Sequence, residues 1–232
     1  MANLVIPDGG NIGSASDTDA ITISSGGNVT LSQTLAGGAI GSSVTGNWGL
    51  KLLETYNVSG SPATFDMGSA SIFSSTYDTY KIIFNDVVFS SNSDFYIQFT
   101  LADTGLVSSG NDYDFTSRGF SSNNDTNQNS SDISNQITIS SFSLKAVGSA
   151  IQGACGEIII PNPSATSTAK FIYGRMSYLN TNSFTATTIF TGGLAQDAEN
   201  AHQKPLVGIR FAQNGSNTYE RGTLRLYGVI NA

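Results

Sequence analysis

Charge is scarce in this chain. Asp, Glu, Lys and Arg make up only 12% of its 232 residues, about half the share of an ordinary globular domain. It has one cysteine, one histidine, one tryptophan and five prolines. A single Cys155 excludes an intrachain disulfide. It precedes the apolar run Ile158-Ile159-Ile160 and reads as a buried, inert thiol that suits assembly in a reducing compartment. No Gly-x-Ser-x-Gly, Walker loop, Cys-x-x-Cys or His-Glu-x-x-His is present, so the common catalytic and cofactor motifs are absent. Seventeen acidic against ten basic residues leave a net charge of −7, without the basic stripe of a nucleic-acid binder. No stretch reaches the roughly 18 to 20 apolar residues that cross a bilayer, and Met-Ala-Asn-Leu-Val-Ile-Pro lacks the basic region of a signal peptide. Neither nucleic acid nor membrane insertion is expected.

What is abundant is small and uncharged. Ser, Thr, Asn and Gly together supply 101 of 232 residues. A hydrophobic share of 39% is too high for a disordered chain. An exterior β protein follows, with hydroxyls and amides covering its surface and with contacts suited to assembly and neutral ligands. Five Asn-x-Ser/Thr sequons occur, at Asn28, Asn57, Asn124, Asn129 and Asn214. That is the number chance gives for this composition, so they carry no information about glycosylation.

Residues 1–48 differ from the rest. They hold no Lys or Arg and, before Trp48, no aromatic residue. Ile21-Thr-Ile23 and Val29-Thr-Leu31 flank Gly26-Gly27 and alternate as a hairpin or a solenoid-like turn does. Strands so short cannot form a core alone, so this segment reads as an extended β arm for oligomerisation or attachment.

Residues 49–232 read as a β body. Phe95, Ile97, Phe99 and Leu101 share one strand face. In 79–89 both faces are apolar, so that strand is expected to be covered on both sides. Further strands are expected at 136–142, 157–160, 170–179, 184–190, 205–212 and 221–230. No sustained helical stripe exists. Eight or more antiparallel strands in this length predict an all-β chain: an N-terminal extended β arm followed by an antiparallel, jelly-roll-like β-sandwich. Residues 102–135, rich in Asn, Ser and Asp, read as a long flexible loop. Its acids are expected to meet the cations Lys204, Arg210, Arg221 and Arg225.

Candidates for chemistry are thin. His202 lies in a polar loop and no second group joins it as a base. The acids show no paired-carboxylate pattern of a glycosidase. Asp17-x-Asp19 and Asp112-x-Asp114 offer hard oxygens for calcium, without the rest of an EF-hand loop. No catalytic residue, metal ligand or cofactor is therefore assigned. A sugar site needs an aromatic platform beside amide or carboxylate groups. Tyr96, Tyr113 and Tyr219, with Asp112 and Asp114, are the candidate ligand-binding residues, and Phe115 and Tyr178 are further platforms. Loops 102–135 and 191–204 are the expected recognition loops.

Three segments carry a family likeness. Tyr77-Asp-Thr-Tyr-Lys-Ile-Ile-Phe-Asn-Asp-Val87 leads to Phe95-Tyr-Ile-Gln-Phe99, and the chain closes on Gly222-Thr-Leu-Arg-Leu-Tyr-Gly-Val-Ile230. With the arm Ile21–Leu31, these resemble bacteriophage tail-fibre and virion appendage proteins that have a C-terminal β-sandwich domain. The likeness is strongest over 70–232 and rests on packing motifs. It implies a non-enzymatic virion protein assembled in the host cytoplasm, typically a homotrimer. Residues 1–48 would join other virion proteins, and the body would face host-surface glycan. Without a long shaft, this would be a short tail fibre or fibre tip. A capsid decoration or head-fibre protein without a receptor role is the alternative.

Overall fold

The computed structural model describes residues 11–14, 17–26, 28–31, 49–108, 112–123, 125–146, 153–194 and 203–230. His202 and most of the 191–204 loop lie outside the described residues. The chain divides into two units, Met1–Gly46 and Asn47–Ala232.

The first unit contains a three-stranded antiparallel sheet of β1 (Asn11–Ser14), β2 (Asp17–Ile23) and β3 (Val29–Leu31), in that order. The expected hairpin is there: Ile21, Thr22 and Ile23 pair with Leu31, Thr30 and Val29. Its turn closes through Ser24 N donating to Asn28 O at 2.8 Å, and Asn28 N donating to Ser24 Oγ at 3.0 Å.

The second unit is a β-sandwich. One sheet has eight strands: β4 (Gly49–Asn57), β6 (Thr79–Phe89), β9 (Tyr113–Ser121), β10 (Thr126–Ser134), β12 (Ala154–Pro161), β13 (Phe171–Leu179), β14 (Thr185–Leu194) and β16 (Tyr219–Ile230). Their spatial order is β10-β9-β14-β13-β12-β6-β16-β4. The other sheet has five: β11 (Ile137–Thr138), β7 (Phe95–Leu101), β15 (Leu206–Gln213) and β5 (Phe65–Met67) in that order, with β8 (Gly105–Leu106) paired to β7. All pairings are antiparallel. The chain crosses between sheets at β4→β5→β6→β7, at β8→β9, at β10→β11→β12 and at β14→β15→β16.

The core is aromatic. Phe84 and Phe89 of β6 meet Phe95 of β7 edge-on, with centroids 5.7 and 5.6 Å apart. Phe65 of β5 stacks on Tyr56 of β4 at 4.3 Å and meets Tyr219 of β16 at 4.8 Å. Offset and edge-to-face pairs like these add to the apolar burial itself. Buried tyrosines tie surrounding backbone to this core. Tyr80 Oη donates to Ile72 O (2.7 Å) and accepts from Ser74 N (3.0 Å). Tyr178 Oη accepts from Phe142 N (3.0 Å).

Three expectations are corrected. Strand β6 is covered on both faces only at its end, where Val87, Val88 and Phe89 are all buried; before that Lys81 and Ile83 are half-buried and Asn85 is exposed. Asp86 sits at φ 55° and the β12 and β16 registers shift beside it. This bulge turns the strand, so Val87 and Phe89 join Tyr80, Ile82 and Phe84 in the core while Ile83 stays outside and half-buried. Residues 102–135 are not one loop; they carry β8, β9 and β10. Strand β9 hides its inner face behind small residues, Ser117 and Gly119, and β10 is an edge strand that needs no apolar face. The amides of Asn127 and Asn129 in β10 bond instead to the Ser140 and Ser141 carbonyls. Among the described residues, no ion pair joins the C-terminal cations to acids of 102–135: Arg210 bonds Asp66 and Arg221 bonds Asp86, and Lys204 donates to the Thr104 hydroxyl. Cys155 is half-buried, with Sγ accepting from Asp86 N at 3.5 Å.

Candidate functional site

The outer face of the eight-stranded sheet is unusual. The solvent face of an antiparallel sheet is ordinarily polar. Here Phe171 and Tyr173 of β13 are each 47% exposed, Phe120 of β9 is 48% exposed and Ile189 of β14 is 60% exposed. The cause lies in the strand sequences. In β13, Ile172, Met176 and Tyr178 are buried, so the alternate residues Phe171, Tyr173 and Arg175 must point out. In β14, inward Ala186, Thr188 and Phe190 leave Thr187, Ile189 and Thr191 outside.

Register places these side chains in rows across the strands. One row runs Gln128, Arg118, Ile189, Arg175, Glu157, Ile83, Arg225 and Thr55. The next carries Thr116, Thr191, Tyr173, Ile159, Lys81, Tyr227 and Leu52. At the margin, Asp114 pairs with Gly193, and Gly193 with Phe171.

Two concavities lie on this face and share Thr116 and Thr191. The first, about 650 Å³, is lined by Asp114, Phe115, Thr116, Phe171, Thr191 and Gly193, among others. Gly193 helps create it. A Cβ there would stand 2.4 Å from Lys170 O and 2.9 Å from Phe171 Cβ, so the row stays open between Asp114 and Phe171. The second, about 480 Å³, lies between Arg118, Phe120, Gln128, Tyr173 and Ile189. Phe171 and Tyr173 lie nearly parallel, 26° between planes, with centroids 6.5 Å apart. The Arg118 guanidinium lies 5.5 Å from the centre of the Phe120 ring, a cation–π distance.

Glu157 organises the charges in the middle. It pairs with Lys81 at 2.5 Å and with Arg175 at 2.9 Å. The hydrogen bond from Lys81 holds its carboxyl below the ordinary range, against the opposing effect of burial. Together these groups offer flat aromatic faces, a ladder of threonine hydroxyls and fixed guanidiniums. They suit a sugar chain, whose C–H faces stack on rings while its hydroxyls and acid groups meet polar side chains. Among the described residues, no cluster of three or more His, Cys, Asp or Glu stands ready for a metal ion.

The residues expected from sequence are scattered. Asp114 is exposed and lines the larger concavity. Asp112 lies half-buried just before β9. Tyr113 and Tyr219 are 0% exposed, so neither ring offers a face to a ligand. Tyr113 Oη accepts from Phe99 N (2.7 Å) and donates to Val107 O (2.8 Å). Tyr219 Oη donates to Ala212 O (2.9 Å). Tyr96 belongs to the other sheet, is almost buried, and donates to Asp94 Oδ2 at 3.2 Å. Burial raises the phenol pKa of all three. Tyr178 is also a core residue, and Phe115 is partly buried against the core.

Phe171, Tyr173, Ile189, Arg118 and Phe120 are not among the candidates that the sequence pattern singles out. A signal was present: Phe-Ile-Tyr-Gly-Arg-Met-Ser-Tyr-Leu is apolar on both faces in an antiparallel sheet. Comparison with known proteins adds no identity: no protein family, curated protein or solved structure matches the chain.

Proposed function

We propose that this chain is a non-enzymatic structural and recognition component of a phage virion, a short tail fibre or fibre tip. In this reading the outer face of the eight-stranded sheet contacts host-surface glycan. The observation that carries it is the aromatic, hydroxyl-lined face built by β9, β13 and β14. An exposed apolar patch with polar rims marks an interaction surface.

The strand order supports a finer view of the fold. The order β4-β16-β6-β12 opposite β5-β15-β7-β11 follows the two Greek keys of a jelly roll, an architecture used in viral capsid and lectin domains. On that view β9–β10 and β13–β14 are inserted hairpins that widen one sheet, and they supply the recognition face. The arm, residues 1–48, joins three copies to each other and to neighbouring virion proteins. Its thin apolar alternation calls for partner surface. No cofactor, nucleic acid or bilayer takes part.

The test is a glycan microarray probed with the full chain and with Phe171→Ala and Tyr173→Ala. Binding that falls about tenfold or more in both variants, at unchanged melting temperature, supports the reading. Binding indifferent to both removes it. Immunogold labelling of particles locates the protein. Label on the capsid, with no adhesion to cells, reassigns it as a decoration or head-fibre protein.

A further inference from the structure

The composition predicts a face for neutral ligands, yet the charges are not spread evenly. The two adjacent rows of the outer face carry Lys81, Arg118, Arg175 and Arg225, four of the ten basic residues in a chain of net charge −7. Against them stands Glu157 alone, which leaves three positive charges. Glu157 is engaged by Lys81 and Arg175. Arg118 lies over Phe120, and Arg225 makes no ion pair among the described residues.

Resting on the glycan-recognition reading, we propose that the ligand is an anionic glycan lying across the strands along the Arg118–Arg175–Arg225 row. The spacing carries the direction. Strands lie about 4.8 Å apart, so Arg118 and Arg175 stand about 10 Å apart, and Arg175 and Arg225 about 14 Å apart. The track from β9 to β16 is therefore about 24 Å long, enough for several sugar units. Acid groups on an extended chain meet the guanidiniums, whose planar fork matches carboxylate and phosphate oxygens. Sugar faces lie on Tyr173 and Phe171, and hydroxyls meet Thr116 and Thr191. The positive track also draws an acidic polymer to a protein that otherwise repels it.

The experiment uses the full chain and two polyanions, polygalacturonate for carboxylate and wall teichoic acid for phosphate, with dextran as the neutral probe. Affinity is read by biolayer interferometry at 50 and 500 mM salt. The expected result is binding to one or both polyanions but not to dextran, weakened at high salt. Which polyanion binds tells carboxylate from phosphate. Arg118→Gln/Arg225→Gln should bind about tenfold or more weakly, with an unchanged melting curve. Lys204→Gln, off the face, should match wild type. Equal binding to dextran, or indifference to the double arginine variant, overturns the proposal. So does binding to neither polyanion. If the variant instead dissociates an oligomer in sedimentation velocity, the face belongs to a second copy. On the glycan microarray, dependence on Phe171 and Tyr173 without the arginines defeats only the anionic inference. Independence from the aromatics defeats the underlying reading.

Discussion

Replacing Tyr113 by Phe separates a structural tyrosine from a sugar platform. The ring is 0% exposed and its hydroxyl bridges Phe99 N and Val107 O at 2.7 and 2.8 Å. Phenylalanine keeps the edge contact with Phe99, 5.7 Å between centroids, and removes only the oxygen. That orphans one N–H and one C=O in a site without water access. Each orphaned group costs about 1–3 kcal/mol, so the variant loses about 3 kcal/mol. For a domain of this size, 1 kcal/mol shifts Tm by roughly 2–4 °C, which predicts a fall of roughly 6–12 °C by calorimetry. Glycan binding at 25 °C should be unchanged. Tyr173→Phe, whose hydroxyl faces solvent, should shift Tm by about 2 °C or less. A Tyr113→Phe variant that melts within about 2 °C of wild type would refute the assignment of Tyr113 to the core.

Other predictions follow from the same geometry. Gly174→Ala places a Cβ 2.1 Å from Glu157 O and forces β12 and β13 apart, costing about 1–3 kcal/mol. Gly215→Ala meets nothing within 4 Å at φ +69° and should cost about 1–2 kcal/mol from its backbone alone; equal melting curves for Gly174→Ala and wild type would contradict the strand packing. The carboxyls of Asp86 and Glu157 are lowered, chiefly by bonds from Arg221 and Lys81. Their stabilisation is present above the ordinary carboxylate range and lost as pH falls through the depressed folded values. Tm should therefore drop below about pH 4, less steeply in Asp86→Asn/Glu157→Gln, and identical acid limbs would refute this. The buried phenols of Tyr113 and Tyr219 are raised, so the unfolded chain releases their protons first and stability declines above about pH 10. A spectrophotometric titration should show them ionising only on unfolding. Sedimentation equilibrium should give a trimer for the full chain and a smaller, still folded species once residues 1–48 are removed. A monomeric full chain contradicts the fibre reading.

Strands with strict alternation were legible in the sequence. Phe95–Leu101 has one face of Phe95, Ile97, Phe99 and Leu101, and it forms β7 with that face buried. What parity could not convey was where parity breaks. Tyr219 and Leu224 lie five residues apart, yet both face the core, because the β16–β6 register shifts twice between Tyr219 and Thr223. Tyr113 reads as exposed in the sequence because its inward neighbours Ser117 and Gly119 are small. Strand β10 reads as loop in the sequence because an edge strand satisfied by amides needs no apolar pattern. The recognition face was hidden for a different reason. Phe171, Tyr173, Arg118 and Arg225 come from three strands, and only the order β9-β14-β13-β12-β6-β16 makes them neighbours.

Hydroxyl-radical footprinting of the full chain with its array-selected glycan tests the central claim most directly. Oxidation of Phe171, Tyr173 and Phe120 should fall several-fold in the complex, while that of Phe184, exposed just before β14, stays constant. Protection confined to the five-stranded sheet or to residues 1–48, with Phe171 and Tyr173 oxidised as in the free protein, would contradict it.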